Sequence, residues 1–210
     1  MGRPSNTDER RLQILTAMIR VMARRGYDGA AIGEIAKAAH LTAGLVHYHF
    51  KSKEEILLAA LDFISAAHLA RLDQAIAQAG GQAVEEVGAF IDVHLGLGTY
   101  ADPEALACWN LLSGEALRNR KVRERFERAL AQIVRRLAAS IRRGQEQWEF
   151  SCDDVDAAAA ALVATVQGYF VMGASARSTI PKGSAARSTR KMAEGLLKPV
   201  HPLSREAKRS

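Results

Sequence analysis

The chain is poor in cysteine, proline and aromatic residues: 210 residues hold two Cys, five Pro and 6% aromatics. Cys108 and Cys152 stand far apart, with no CxxC pair and no His-rich neighbour. That spacing points to buried reduced thiols and away from a disulfide or a metal site. Few prolines and an abundance of Ala, Leu, Arg and Glu favour helix, so the expected class is all-α. No GxSxG, HExxH or phosphate-cradling Gly loop occurs, and the chain reads as a non-enzyme that needs no cofactor. No run approaches the ~20 apolar residues of a spanning helix. The N-terminal MGRPSNTDERR lacks the apolar centre of a signal peptide, so the expected compartment is the cytoplasm, with no membrane partner.

What is present in excess is positive charge. A net charge of +6 with 48% hydrophobic residues describes a chain with a substantial core and an attraction for a polyanion. Charge alone leaves nucleic acid and anionic membrane both open.

Residues 31–56, AIGEIAKAAHLTAGLVHYHFKSKEEI, favour DNA. Ile32, Ile35, Ala36 and Ala39 fall at helical spacing and give a short helix with a narrow apolar face. A break follows at His40 and Leu41. Thr42 is placed to cap a second short helix starting at Ala43, Gly44, Leu45 and Val46. Ser52 and Glu55 form a capping box that opens a long helix from about Lys53. Helix, tight turn and helix present the second helix outward, a shape that fits a DNA major groove. Gly44 permits close approach to a backbone, Leu45 can meet a thymine methyl, and His47 or Tyr48 can reach a base edge or phosphate. Lys53, in the first turn of the next helix, is placed for a phosphate. The DNA-binding set is therefore Thr42, Ala43, Gly44, Leu45, His47, Tyr48 and Lys53, with Val46 and Phe50 in the core. His47 and His49, two residues apart, lie on different helix faces and do not suit a shared metal.

The pattern Ile35-Ala36, Leu41-Thr42-x-Gly44 and Tyr48-His49-Phe50-Lys51-Ser52-Lys53-Glu54-Glu55 resembles the N-terminal domain of TetR-type transcriptional regulators, specifically over about residues 10–65. The resemblance implies an all-helical homodimer that binds an operator in double-stranded DNA, most often as a repressor, and releases it when a small molecule enters the C-terminal domain. Two recognition helices of such a dimer would enter successive major grooves of a palindromic operator, ~34 Å apart. Some positions depart from the family pattern. Ala30 and Ala31 replace a capping Thr or Ser, Gly33 a frequent Arg, His40 a turn Gly, Ala43 a polar or basic residue, and His47 the commoner Tyr. These changes move the expected contacts onto Thr42, His47, Tyr48 and Lys53.

The chain divides as 1–52, a helix-turn-helix head; 53–200, a helical effector-binding and dimerisation domain; and 201–210, a basic tail beyond ordered structure. Residues 1–6 read as a solvated arm, from which Arg3 can reach DNA. A first helix carries Ile14, Leu15, Met18, Ile19 and Met22 and ends at Gly26. The helix from Lys53 meets a flexible corner at Gly80-Gly81. Further helices span about 83–97, from Pro103, 121–147, 152–176 and 185–197, with interruptions at Gly96, Gly98 and Asp102-Pro103. Residues 118–143 hold nine arginines, read as a solvated face in which Glu124 and Glu127 pair with neighbours. A second nucleic-acid or membrane surface is the sharper alternative there. The small residues of 152–176, with Gly168 and Gly173, mark the expected dimer helix, joined by Met192, Leu196 and Leu197.

The resemblance implies an effector pocket among the C-terminal helices. Its candidates are Phe63, Phe90, His94, Trp109, Asn110, Tyr169 and Met172, large rings beside a few polar groups that suit a mostly apolar ligand. The alternative function for the whole chain is a basic helical protein that binds nucleic acid or anionic membrane without sequence preference.

Overall fold

The structure, a computed structural model, describes residues 6–96 and 103–203. Arg3 of the N-terminal arm, Gly98, Asp102 and residues 204–210 of the basic tail lie outside the described residues. Among those described there are nine α-helices and no strand. In chain order they are α1 (Asn6–Gly29), α2 (Ile32–Ala38), α3 (Ala43–His49), α4 (Lys53–Gln78), α5 (Ala83–Leu95), α6 (Pro103–Ala116), α7 (Arg120–Glu146), α8 (Val155–Ser175) and α9 (Ser184–Leu197). A single 3-10 turn, Arg177–Thr179, joins α8 to α9.

The punctuation is local chemistry. Gly26 leaves helical geometry at φ 70° and breaks α1. The Thr42 hydroxyl accepts the Leu45 N–H at 3.2 Å, opening α3. Ser52 Oγ accepts the Glu55 N–H at 3.1 Å, and Glu55 reaches back to the Lys51 N–H at 2.8 Å, which opens α4. Gly80 and Gly81 turn the chain with φ of 71° and 84°, where a side chain would be strained. Asp154 caps α8 by accepting the Ala157 N–H at 2.9 Å. Ala31 gives α2 no side-chain cap, as the missing Thr or Ser implied.

Packing groups the helices into two units. The first holds α1–α3, α4 as far as Ala67, α6, and α7 as far as Ala129. The second holds the rest of α4 and α7, with α5, α8 and α9. Its core gathers Leu72, Val87, Phe90, Ile91, Leu137, Ile141, Leu162, Val166 and Leu197. Leu203, assigned by sequence to the tail, is buried in this core, and its N–H donates to Glu194 at 2.9 Å.

Two expectations need correction. Apolar run length was underestimated: α8 has 21 residues and a mean hydropathy of 1.5 over its best 18-residue window, enough by length and composition to cross a membrane. Alanine supplies much of that apolar character with little bulk, and only 28% of that window is buried in the protomer. The arginines of α7 are also less free than a solvated face implies. Among the described residues, Arg120 forms the one ion pair along the helix, with Glu124. Arg125 reaches Asp62 and Arg136 grips Asp73, both on α4. Arg142 reaches Asp156 on α8, and Arg143 meets the buried Glu86 on α5. The forked Arg136 contact, at 2.5 and 3.0 Å, holds the Asp73 carboxyl below its ordinary range.

Candidate DNA-reading surface and effector site

The head is built so that α3 is held firmly and faces outward. Ile14, Met18 and Met22 of α1 are fully buried, as are Ile35 of α2 and Val46 of α3, and Phe50 is 1% exposed. Helix α1 also bonds the C-terminal ends of both short helices. Arg11 Nη1 donates to the His49 carbonyl at 2.6 Å, and its guanidinium lies 4.1 Å over the Phe50 ring. Gln13 Nε2 donates to the Ala39 carbonyl at 2.5 Å. A seven-residue helix has little stability of its own, so these bonds to carbonyls its own turns leave unpaired fix its direction.

With Val46 and Phe50 inside, Thr42, Ala43, Gly44, His47 and Tyr48 are exposed and Leu45 is half-buried. Tyr48 is 80% exposed, an unusual setting for a large ring, and meets the edge of His49, 5.1 Å away. His40 occupies the turn with φ 54°, the left-handed conformation its glycine counterpart would adopt freely. That backbone costs about 1 kcal/mol for a side-chain-bearing residue. Lys53 is placed differently from a free phosphate anchor: its ammonium sits 4.1 Å over the Tyr27 ring and 3.4 Å from the Asp28 carbonyl. Burial and the nearby Glu54, Glu115 and Asp28 carboxylates push the Tyr27 hydroxyl above its ordinary pKa.

The seven effector candidates divide between the two units. In the first, Trp109 stacks on Phe126 at 4.5 Å and is 7% exposed, Phe63 is 38% exposed, and the Asn110 carbonyl accepts Ser113 Oγ at 2.8 Å. In the second, Phe90 and His94 meet at 4.3 Å, Tyr169 is half-buried, and Met172 is 42% exposed. Two residues outside the candidate set join the Phe90–His94 contact. Phe170 stacks on His94 at 6.2 Å, and His68 brings its Nε2 to 2.8 Å from His94 Nε2. His68 was legible only as one position of the apolar stripe on α4.

The protons of this pair follow from its partners. His94 Nδ1 lies 2.7 Å from the Phe90 carbonyl, which can only accept, so Nδ1 carries the hydrogen. Neutral His94 then has a lone pair on Nε2, and His68 donates to it from its own Nε2. A second proton on His94 would set two N–H groups against each other. Burial, and the Arg71 charge behind it, lower His68 to about 4. Burial, then His68, lower His94 to about 3, with the Phe90 carbonyl opposing and Arg71 adding slightly. Both rings are neutral at pH 7. Among the described residues no group of three or more His, Cys, Asp or Glu gathers to hold a metal. Burial pushes the Cys108 thiol up to about 12, out of range of thiolate chemistry at neutral pH.

Known proteins match this arrangement along most of the chain. Residues 14–60 match the family described as bacterial regulatory proteins, tetR family, and residues 83–198 match the BetI-type transcriptional repressor, C-terminal. The HTH-type transcriptional regulator BetI of Rhizobium meliloti (strain 1021) is 30% identical over 165 residues, 77% of this chain and 76% of that protein. A TetR-family regulator from Rhodococcus sp. superposes with a TM-score of 0.75 at 25% identity, covering 90% of this chain and 99% of that one. A transcriptional regulator from Saccharomonospora viridis, solved in complex with choline, superposes with a TM-score of 0.73 at 27% identity over 90% of this chain and 95% of its own. With both halves matched and the outward-facing α3 in place, the chain belongs to the TetR family of ligand-responsive, DNA-binding transcriptional regulators, and its C-terminal domain is of the BetI repressor type.

Proposed function

We propose that this regulator works in the cytoplasm as a homodimeric repressor that reads a palindromic operator with α3 and releases it when an effector seats against the Phe90–His94–Phe170 rings. The observation that carries the reading is the division of α3: Val46 is locked in the core while Thr42, Ala43, Gly44, His47 and Tyr48 are offered to solvent on a helix pinned by Arg11. Base reading and charge separate by experiment. His47→Ala or Tyr48→Ala changes which sequences are preferred, whereas Lys53→Ala weakens binding to all sequences and lowers the salt slope by about one unit. Equal loss on operator and random DNA for all three variants would contradict these roles.

Dimerisation is assigned to the outer side of α8 and α9. Ala157, Ala160, Ala161, Ala164, Gly168, Val171 and Met172 of α8 are exposed in the protomer, as are Met192 and Leu196 of α9. Side chains this small let two copies approach closely, and the larger ones at the ends supply apolar area.

For the effector, neutral aromatic and imidazole rings suit a ligand with an apolar body and a cationic or hydrogen-bonding head. Choline, found with the Saccharomonospora viridis relative, is the first compound to test. His94→Ala is expected to abolish effector-driven release while the variant keeps its operator affinity. Release that survives His94→Ala unchanged places the ligand elsewhere.

A further inference from the structure

The turn between α6 and α7 is bonded to the first turn of α4. It runs Leu117-Arg118-Asn119 and leads into Arg120, Lys121 and Arg123 of α7. Asn119 works in two directions. Its Oδ1 caps α7 by accepting the Lys121 and Val122 N–H groups at 2.9 and 3.3 Å, and its Nδ2 donates to Glu54 Oε1 at 2.9 Å. Lys121 Nζ completes the clasp on Glu54 Oε2 at 2.7 Å. These bonds hold the Glu54 carboxyl below its ordinary range. Glu54 is the second residue of α4, next to Lys53, and α4 starts four residues after α3 ends. The turn is thus fastened to the end of the head that follows the recognition helix.

The charge fastened there is uneven. Lys121 is taken up by Glu54, and Arg120 by Glu124 at 2.9 Å. Arg118 and Arg123 are exposed, and neither has an ion pair among the described residues. Arg118 adjoins Asn119, and Arg123 stands one helical turn beyond it, about 6 Å along the axis. The clasp on Glu54 and the Arg125–Asp62 pair run α4 and α7 side by side in the same direction, so a phosphate that meets the start of α4 also meets the end of α7 that carries these two exposed cations. Two unpaired cations beside a polyanion site either bind it or leave it alone, and only the first lowers the free energy of the complex.

We propose that the α6–α7 turn is an auxiliary contact to the DNA backbone, in which Arg118 and Arg123 bind phosphates beside the half-site read by α3. The inference rests on the reading of α3 as the recognition helix. The contact carries no sequence information, adds to affinity and to its salt dependence, and ties operator binding to the position of α6 and α7.

The test is the slope of log affinity against log salt for the full-length protein on its selected operator. Arg118→Gln with Arg123→Gln is expected to reduce the slope by about 1.8 units, ~0.9 for each phosphate no longer neutralised, with the preferred sequence unchanged. Arg135→Gln, an exposed arginine ~18 Å further along α7, is expected to leave the slope as it was. An unaltered slope in the double variant overturns the proposal while the operator reading stands. An equal reduction by Arg135→Gln also overturns it, because net charge would then be acting at large. Failure of the wild type to select any operator overturns this proposal together with the reading beneath it.

Discussion

Acidification from pH 7 to pH 5 is expected to cost the fold about 3–4 kcal/mol through His68 and His94 alone. In the unfolded chain both imidazoles take up protons below about pH 6.5. In the folded protein His68 holds off until about 4 and His94 until about 3. The unfolded state therefore binds more protons throughout that interval, so the stability is fully present above about pH 6.5 and is lost as the pH falls towards 4. Near pH 5 each ring contributes about 2 kcal/mol, a figure that hardly changes if either folded value moves by half a unit. The carboxylates lowered by ion pairs, Glu54 and Asp73, act at more acid pH, so the interval from 6.5 to 5 isolates the histidines. Urea unfolding at pH 7, 6 and 5 checks this against His68→Gln/His94→Gln. The wild type should lose stability steeply while the double variant stays nearly flat. Parallel losses in both would show that the pair is not the source.

A single charge on the outer face of α8 is expected to lower operator affinity 100-fold or more. Ala164 lies in the exposed stripe with Ala161 and Gly168, opposite the buried Leu162, Val163 and Val166. Arginine at this position meets open solvent in the protomer, so Ala164→Arg should fold with nearly unchanged stability. Between two copies it would force a bulky cation into a contact made of small side chains, and the dimer should separate. A lone head then forfeits the effective concentration, of millimolar order, that tethering gives the second half-site, a gain commonly worth 10²–10⁴-fold. Size-exclusion chromatography with light scattering and an operator titration read the two halves of this expectation. A variant that stays dimeric, or a monomer that keeps full affinity, would remove α8 from the interface.

The features that could be read from sequence are those governed by near neighbours. Thr42, Ser52 with Glu55, and Gly80-Gly81 announce helix ends because the bonds and dihedrals involved lie within a few residues. The spacing of Val46 and Phe50 separates the inner side of α3 from its outer side for the same reason. What escaped sequence reasoning depends on which helices face each other. Periodicity puts His68 on the inward stripe of α4 and His94 on that of α5, but gives no hint that the two rings, 26 residues apart, share a hydrogen bond. The partners of Arg125, Arg136 and Arg143 lie 57 to 63 residues away, and a count of nearby glutamates misses them. Lys53 was placed by its position at a helix start, where attraction to phosphate is general. What position alone does not tell is its neighbours within the head, the Tyr27 ring and the Asp28 carbonyl.

Departures from the family pattern acquire physical content in the same way. Ala31 leaves α2 uncapped, and His40 keeps a strained turn that glycine would relax. On the proposed reading the contacts to DNA would fall on fewer residues, and the exposed Tyr48, Arg118 and Arg123 would carry more weight.

The central claim is that two copies of this chain read a symmetric DNA sequence through α3. Selection of bound duplexes from a random pool, by purified protein at near-physiological salt, tests it most directly. The expected result is enrichment of an inverted repeat whose half-sites lie about one helical turn apart, or a multiple of it, ~10–10.5 base pairs between centres per turn. Enrichment of no sequence, with binding that disappears as salt rises, would contradict it and leave only the attraction of a basic surface for a polyanion.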